Sequence, residues 1–348
     1  MEQELGCRFY FGDRIAASNI KRMDYSLFTK KPGTLRYIWL IGYFNWLGGS
    51  LRLCFQPYQV YILTGEPRCL SSWVVLLINR IRGRETWLWT HGWYGDETPA
   101  KKQFKKAYFK LANKVLLYGD HARNLMLSEN IPASKLNVIY NSLAYTKQIA
   151  IRSQLRKTPI YADYFGNKSP LIVFIGRLEP QKKLRQLIEA VKLLPFHIKP
   201  NVCIIGDGKD REALEKRVAD LNLTERVWFY GACYEEATIA SLLYNADICV
   251  SPGEVGLTAM HAMSYGTPVI THNDFSQQMP EFEAIIPNQT GLFFERDKVK
   301  SLSNAIQDWL KAHPVKSEAS VQACFEVIDT YYNPNHQMKL LRRLAKNV

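Results

Sequence analysis

The segment FIGRLEPQKK, residues 174–183, runs an apolar stretch into an arginine and then crosses a proline-bearing loop to two lysines. Arg177 follows the apolar run directly and Lys182 stands five residues later, so both are expected beyond the carboxyl end of one strand. A forked guanidinium and a compact ammonium suit a diphosphate. Cations opening a helix oppose its dipole by up to about 1 kcal/mol, so their placement favours an anionic ligand over stability alone. A surface arginine with two solvated lysines is the plainer alternative.

A second candidate lies in SPGEVGLTAMHAMSYGTPVI, residues 251–270. Gly256 precedes an expected helix, where the amides of Leu257, Thr258 and Ala259 are helix-start donors of the kind that bind phosphate. The third is IIGDG, with Gly206 and Gly208 ending a strand before a helix. It lacks the third glycine of the dinucleotide fingerprint.

These residues need strands that end together. From Leu171 onward the apolar runs LIVFIG, NVCIIG, RVWFYG, ADICVS and PVITHN alternate with helical stretches over 184–194, 209–223, 235–246 and 257–264. That alternation predicts a parallel sheet covered on both faces. The first half alternates too, with CRFYFG, QVYILTG, TWLWTHG, KVLLYG and LNVIYNS as strands and helices near 70–82, 101–113 and 120–130. A polar stretch from Arg152 to Ser169 reads as a linker. The fold class is therefore α/β, with two doubly wound Rossmann-like domains expected to face a cleft. We place the first at 1–158 and the second at 159–325, with a C-terminal helix over 326–348 returning to the first.

At 348 residues the chain is long enough for two cores. The seven cysteines are scattered without a C-x-x-C pair, which argues against a zinc site or disulfide framework. Met1 leads into EQELGCRFYFGD, acidic where a signal peptide is basic, so a cytoplasmic location is expected. Of the net +13, residues 1–150 carry +11 (21 Lys and Arg against 10 Asp and Glu). Nucleic acid, an anionic membrane surface or a phosphorylated substrate would each answer that field, as would a solvated face with no partner. No nucleic-acid-binding module is recognisable, so no nucleic-acid partner is expected. In KKQFKKAYFKLANKVLL, Phe104, Ala107, Tyr108 and Leu111 share a helical face bordered by lysines. This suits a membrane surface, although core packing of that face with Lys101, Lys102, Lys105, Lys106 and Lys110 on a solvated basic face is favoured. The aromatics of LRYIWLIGYFNWLGG are likewise expected in the core.

In order along the chain, GRLEPQKK, IIGDG, VWFYGACYEEATIASLLYNADICVSPGEVGL, AMSYGTPVI, MPEFEAI and TGLFFE resemble glycosyltransferase family 4, retaining sugar transferases of the GT-B fold. The likeness covers residues 170–312 well. LWTHGWYGDE, VLLYG and VIYNS extend it more loosely into the first half.

The resemblance implies that Arg177 and Lys182 grip the donor's diphosphate. It implies that the amides after Gly256, those of Leu257 and Thr258, form the phosphate-binding helix start, and that Gly206, Gly208, Glu254, Val255 and His261 also belong to the substrate-binding set. Ala232 and Cys233 fall where the base is read, and His91 falls near the transferred sugar. Two glutamates eight positions apart are usual in the family. Here the second falls on His261, and the first on Gly253, or on Glu254 if one residue is deleted. The opening segment differs as well, reading as the tail of a helix that runs into the second strand, so the first strand of the N-terminal domain is expected to be absent or to lie upstream.

The implied activity is metal-independent transfer from a nucleotide-diphosphate sugar, with no cofactor. The acceptor would be a saccharide or lipid-linked hydroxyl in surface polysaccharide or glycolipid assembly, at the inner face of a membrane. No Asp-x-Asp pair is present to hold a metal on the diphosphate. An inactive nucleotide-sugar-binding remnant is the first rival, and a sugar-nucleotide epimerase of the same fold the second.

Overall fold

The computed structural model describes residues 1–14 and 24–346. Asn347 and Val348, the end of the helix expected over 326–348, lie outside the described residues. The chain divides into two compact units. One comprises Met1–Trp93, Glu97–Ile139 and Gln337–Val348, and the other Tyr94–Asp96 and Tyr140–His336.

In the first unit, β1 (Tyr10–Gly12), β2 (Gly33–Trp39) and β3 (Asn45–Gly48) form a small sheet. β1 pairs with β2 in parallel, and β2 with β3 as an antiparallel hairpin. A separate parallel sheet runs β4 (Val60–Thr64), β5 (Glu85–Thr90), β6 (Lys114–Leu117) and β7 (Leu136–Val138) in sequence order. Leu88, Val115 and Leu117 bury one face of it with Leu76, Tyr108, Phe109 and Met126 from the flanking helices. Trp87, Leu116 and Ile139 bury the other against Leu340, Leu341 and Leu344 from the chain's last helix, Pro334–Ala345. The run expected as one C-terminal helix is divided. An earlier helix, Glu318–Thr330, ends before Asn333, whose side-chain amide donates to the Ile328 and Asp329 carbonyls.

Two expectations for this unit need correction. Lys105 is not a solvated member of a basic face. It is buried, its ammonium 2.6 Å from Glu97 Oε1 and donating to the Gly92 carbonyl at 2.7 Å. The aromatic run 37–47 is not core either. β2 and β3 carry its centre outward on a hairpin whose turn is closed by the Leu40 amide on the Phe44 carbonyl. Gly42 supplies the φ of +69° that this turn needs.

The second unit holds one parallel sheet of β8 (Leu171–Ile175), β9 (Asn201–Ile205), β10 (Val227–Gly231), β11 (Ile248–Val250), β12 (Val269–His272) and β13 (Gly291–Phe294), in the order β10-β9-β8-β11-β12-β13. β8 is buried along its whole length because both faces are covered. Leu171, Val173 and Ile175 join one core, with Ile239, Leu243, Met260 and Met263 from the helices Glu236–Asn245 and Leu257–Ser264. Ile172 and Phe174 join the other, with Leu187, Ile188, Ile306 and Trp309 from Leu184–Lys192 and Val299–Ala312. The two-residue alternation thus assigns one strand to two cores.

The stretch expected as a bare linker is structured. Ile160–Phe165 is a helix whose Tyr161 is buried, its hydroxyl donating to the Leu242 carbonyl at 2.8 Å. Tyr164 stacks on Trp228 with ring centroids 3.9 Å apart.

Candidate functional site

The strand order of the second unit reverses direction between β8 and β11. At such a switch point the loops after the two strands diverge and leave room for a ligand beyond their carboxyl ends. Arg177 lies in the loop after β8, and Glu254, Val255 and Gly256 in the loop after β11. The sequence candidates on these two loops meet there. The Lys182 ammonium donates to the Glu254 carbonyl at 2.6 Å, and the Lys182 carbonyl accepts from the Gly253 amide at 3.1 Å. A Cβ at Gly253 would lie 1.8 Å from the Gln181 carbonyl oxygen, so the loops touch backbone to backbone and only glycine fits.

Lys182 is half-buried, and burial pushes its pKa down, with the nearby Arg177 guanidinium pushing the same way. The carboxylates of Glu254, Glu179 and Glu281 oppose that shift. Arg177 itself is exposed and makes only a 3.3 Å contact with Glu179 Oε1. Exposed pairs of this kind contribute about 0–1 kcal/mol, so the guanidinium is held loosely. The second lysine goes elsewhere: Lys183, in a left-handed conformation at φ +51°, pairs with Asp297. Among the two lysines opening the helix, Lys182 is therefore the one in the site.

Gly206 and Gly208 also have a packing reason. Their Cβ atoms would lie 1.8 Å from the Gly176 carbonyl oxygen and 2.4 Å from that of Leu178. The Leu178 amide donates to the Asp207 carbonyl at 2.9 Å and the Asp210 amide to that of Leu178 at 3.1 Å. These contacts hold the Arg177 loop from its other side.

The helix start departs from expectation. The amides of Thr258 and Ala259 donate to the Val255 and Gly256 carbonyls at 3.2 and 3.1 Å, and so are not unpaired. The Val255 amide donates to Gln278 Oε1 at 2.9 Å, and its side chain is fully buried. What remains is the Leu257 amide behind Gly256, on a helix whose first turn is anchored to the end of β8 by Thr258 Oγ1 donating to the Ile175 carbonyl at 2.9 Å. A tight, tethered turn replaces three open donors.

His261 lies one turn along that helix. Its Nε2 is 3.0 Å from Glu236 Oε1, which also accepts from the Tyr265 hydroxyl at 2.6 Å and from Gln148 Nε2 at 3.1 Å. The His261 hydrogen bond, helped by Tyr265, lowers the Glu236 carboxyl to about 2 against the opposing effect of burial. Glu236, Gln148 and Gln278 escaped sequence reading. Glu236 is one of two adjacent glutamates in YEEAT, and its neighbour Glu235 caps the same helix by accepting from the Ala237 and Thr238 amides.

Ala232 and Cys233 follow β10, two strands from β8, with Ala232 exposed and Cys233 half-buried. His91, in the first unit, follows β5 directly with its ring 4.8 Å from that of Tyr118. Lys105 secures the loop after it through Gly92 and Glu97. Among the described residues, no group of three His, Cys, Asp or Glu could hold a metal ion.

Residues 163–323 match the family model described as Glycosyl transferases group 1. The chain is 25% identical over 241 residues to the alpha-D-kanosaminyltransferase of Streptomyces kanamyceticus, covering 65% of this chain and 57% of that one. In three dimensions it is similar to the lipopolysaccharide outer core galactosyltransferase WaaB, with a TM-score of 0.67 and 16% identity over 86% of this chain and 78% of that one. It is also similar to HepE of Anabaena in complex with UDP, with a TM-score of 0.64 and 15% identity over 83% and 79%. The chain spans 24–57% of the length of the curated relatives heading the comparison. The fold class is accordingly α/β of the GT-B glycosyltransferase kind, with two Rossmann-like units.

Proposed function

We propose that the protein is a retaining glycosyltransferase of the family 4 kind. It would move a sugar from a nucleotide-diphosphate donor to an acceptor hydroxyl in surface polysaccharide or glycolipid assembly. The observation that carries this reading is the pairing of Arg177 with the half-buried Lys182 at the switch point of the second unit. Burial, helped by the Arg177 charge, lowers the proton affinity of Lys182. An anion beside the two cations offsets both effects, and a leaving diphosphate supplies two negative phosphates side by side. The UDP held by the Anabaena relative and the group 1 match support such a donor.

As the bond from the sugar to the diphosphate breaks, charge grows on the departing oxygen. Arg177 and Lys182 neutralise it, and the Leu257 amide adds a donor. Each such preorganised donor is worth about 3–4 kcal/mol in other enzymes. The Glu254 carbonyl fixes the Lys182 ammonium, leaving its remaining N–H groups for phosphate. The acceptor hydroxyl passes its proton to the departing phosphate oxygen as its own oxygen bonds to the sugar. His91 would stand near the transferred sugar, and Ala232 and Cys233 near the base. Charge neutralisation by these side chains makes the transfer metal-independent, and turnover should survive chelation.

Thermal midpoints with UDP and GDP test the binding half, since a ligand of the native state raises the midpoint. Arg177→Ala and Lys182→Ala should each lower turnover about 10²-fold or more. Unchanged turnover in both would remove the assignment. The saccharide or lipid-linked acceptor is proposed to be met at the inner face of a membrane. An inactive nucleotide-sugar-binding remnant draws on His261, which stands where the family has glutamate and is already engaged by Glu236. Nucleotide binding without donor hydrolysis or transfer would favour it.

A further inference from the structure

We infer that the β2–β3 hairpin of the first unit is a membrane-docking finger, whose tip enters the headgroup layer of an anionic bilayer while the cations around it engage lipid phosphates. At the tip Ile41 is 96% exposed, Tyr43 78% and Trp39 54%, with Leu40 and Phe44 exposed beside them. Trp39, Leu40, Ile41 and Phe44 line an open apolar hollow with Leu70. A contiguous patch of this kind on a charged unit marks an interaction surface.

The finger is held at its base. β2 and β3 pair from Arg36–Gly48 to Trp39–Asn45, and the Asn45 amide donates to the Arg68 carbonyl at 3.1 Å. The Phe44 ring sits 6.3 Å from that of Phe104, which sits 5.1 Å from that of Trp73. The apolar tip is therefore presented by a braced stem, where a merely slack loop would not keep it out of the core.

The surroundings choose the partner. Residues 30–82 carry seven Lys or Arg against one acid, Glu66. The Arg68 guanidinium lies 5.5 Å from the centre of the Tyr43 ring, and Arg36 is exposed on β2. Lys101 is exposed three residues before Phe104 on the Pro99–Leu111 helix. That helix buries Tyr108 and Phe109, so it offers lysines and Phe104 but no embedding face of its own. Tryptophan and tyrosine with a basic rim suit the bilayer interface and its anionic lipids. A second copy of this chain would set two cationic rims against each other, and the surface instead calls for something both apolar and anionic.

This deepens the membrane part of the proposed function and is independent of the transfer chemistry. The full-length protein should float with phosphatidylglycerol-containing vesicles at low salt, and much less at high salt or with phosphatidylcholine alone. The Ile41→Glu/Tyr43→Glu variant should lose about tenfold or more in partitioning, and Arg36→Glu/Arg68→Glu should lose the preference for anionic lipid. Both should keep the wild-type thermal midpoint and its shift with UDP. Wild-type protein that does not float would overturn the inference, as would tip variants that float equally. So would a dimer that the tip variant dissolves, seen by sedimentation in the absence of vesicles. Flotation without any nucleotide-induced shift would sink the transferase reading and leave the finger standing.

Discussion

The hairpin around Ile41 and the strand Leu171–Ile175 are both apolar runs, yet the chain treats them in opposite ways. β8 is covered on both faces, and its charges wait for the loop beyond its end. The hairpin exposes its apolar centre, and its charges ring the base. Apolar sequence alone does not decide burial. Flanking elements do: β8 has helices before and after it to cover both faces, whereas the hairpin joins a small sheet with few partners. The difference separates a region built to hold its own loops still from one built to meet something else.

Lys182→Ala gives the largest contrast. We expect a loss of about 10²-fold or more in turnover with a small change in melting, against no change in turnover of a soluble acceptor for Ile41→Ser. Equal effects would erase the distinction between the two regions. Leu187→Ala, deep in one of the cores against β8, should destabilise by about 2–5 kcal/mol by denaturant titration.

One buried and one half-buried titratable group sharpen the account of the second unit. Lys316 donates to the Tyr244 carbonyl and to Thr267 Oγ1, and burial pushes it down to about 7 from 10.5. Between those values the unfolded chain holds a proton that the folded chain lacks. Stability should therefore rise with pH from about 7 toward 10, by up to about 1.4 kcal/mol per pH unit, and Lys316→Met should flatten that rise in pH-dependent melting.

Glu236 acts in the same direction at the acid end, its carboxyl also lowered in the folded chain. Its lowered carboxyl contributes stability that is fully present above 4.5 and lost as pH falls toward about 2. Glu236→Gln should remove about 1–3 kcal/mol of that acid limb. The smallest effect belongs to Ile41→Ser, within about 0.5 kcal/mol of wild type in denaturant titration. A larger loss would show that the tip carries packing of its own.

Much of this was legible in sequence. The strands after Leu171 stand where the apolar runs placed them, because runs buried on both faces have no competing period. Arg177 and Lys182 were readable because a strand, a proline loop and a helix start fix their positions within a few residues. The misreadings share a cause: they depend on partners distant in sequence. Glu236 meets His261 across 25 residues and Gln148 across 88. Lys105 looked solvated because Glu97 and Gly92 bury it from a loop that has no period. The helix Ile160–Phe165 was hidden by its polar neighbours and shows itself through Trp228.

Leu340, Leu341 and Leu344 cover one side of a sheet whose last strand ends at Val138. A ribosome working at about 5–20 residues per second needs roughly 10–40 s to travel between them. Throughout that interval Trp87 and Leu116 lack their native cover. The nascent first unit is thus a client for chaperones until translation has passed Leu344, and pulse-labelled chains halted before Leu340 should be cut by protease within a sheet that resists it once that helix is in place.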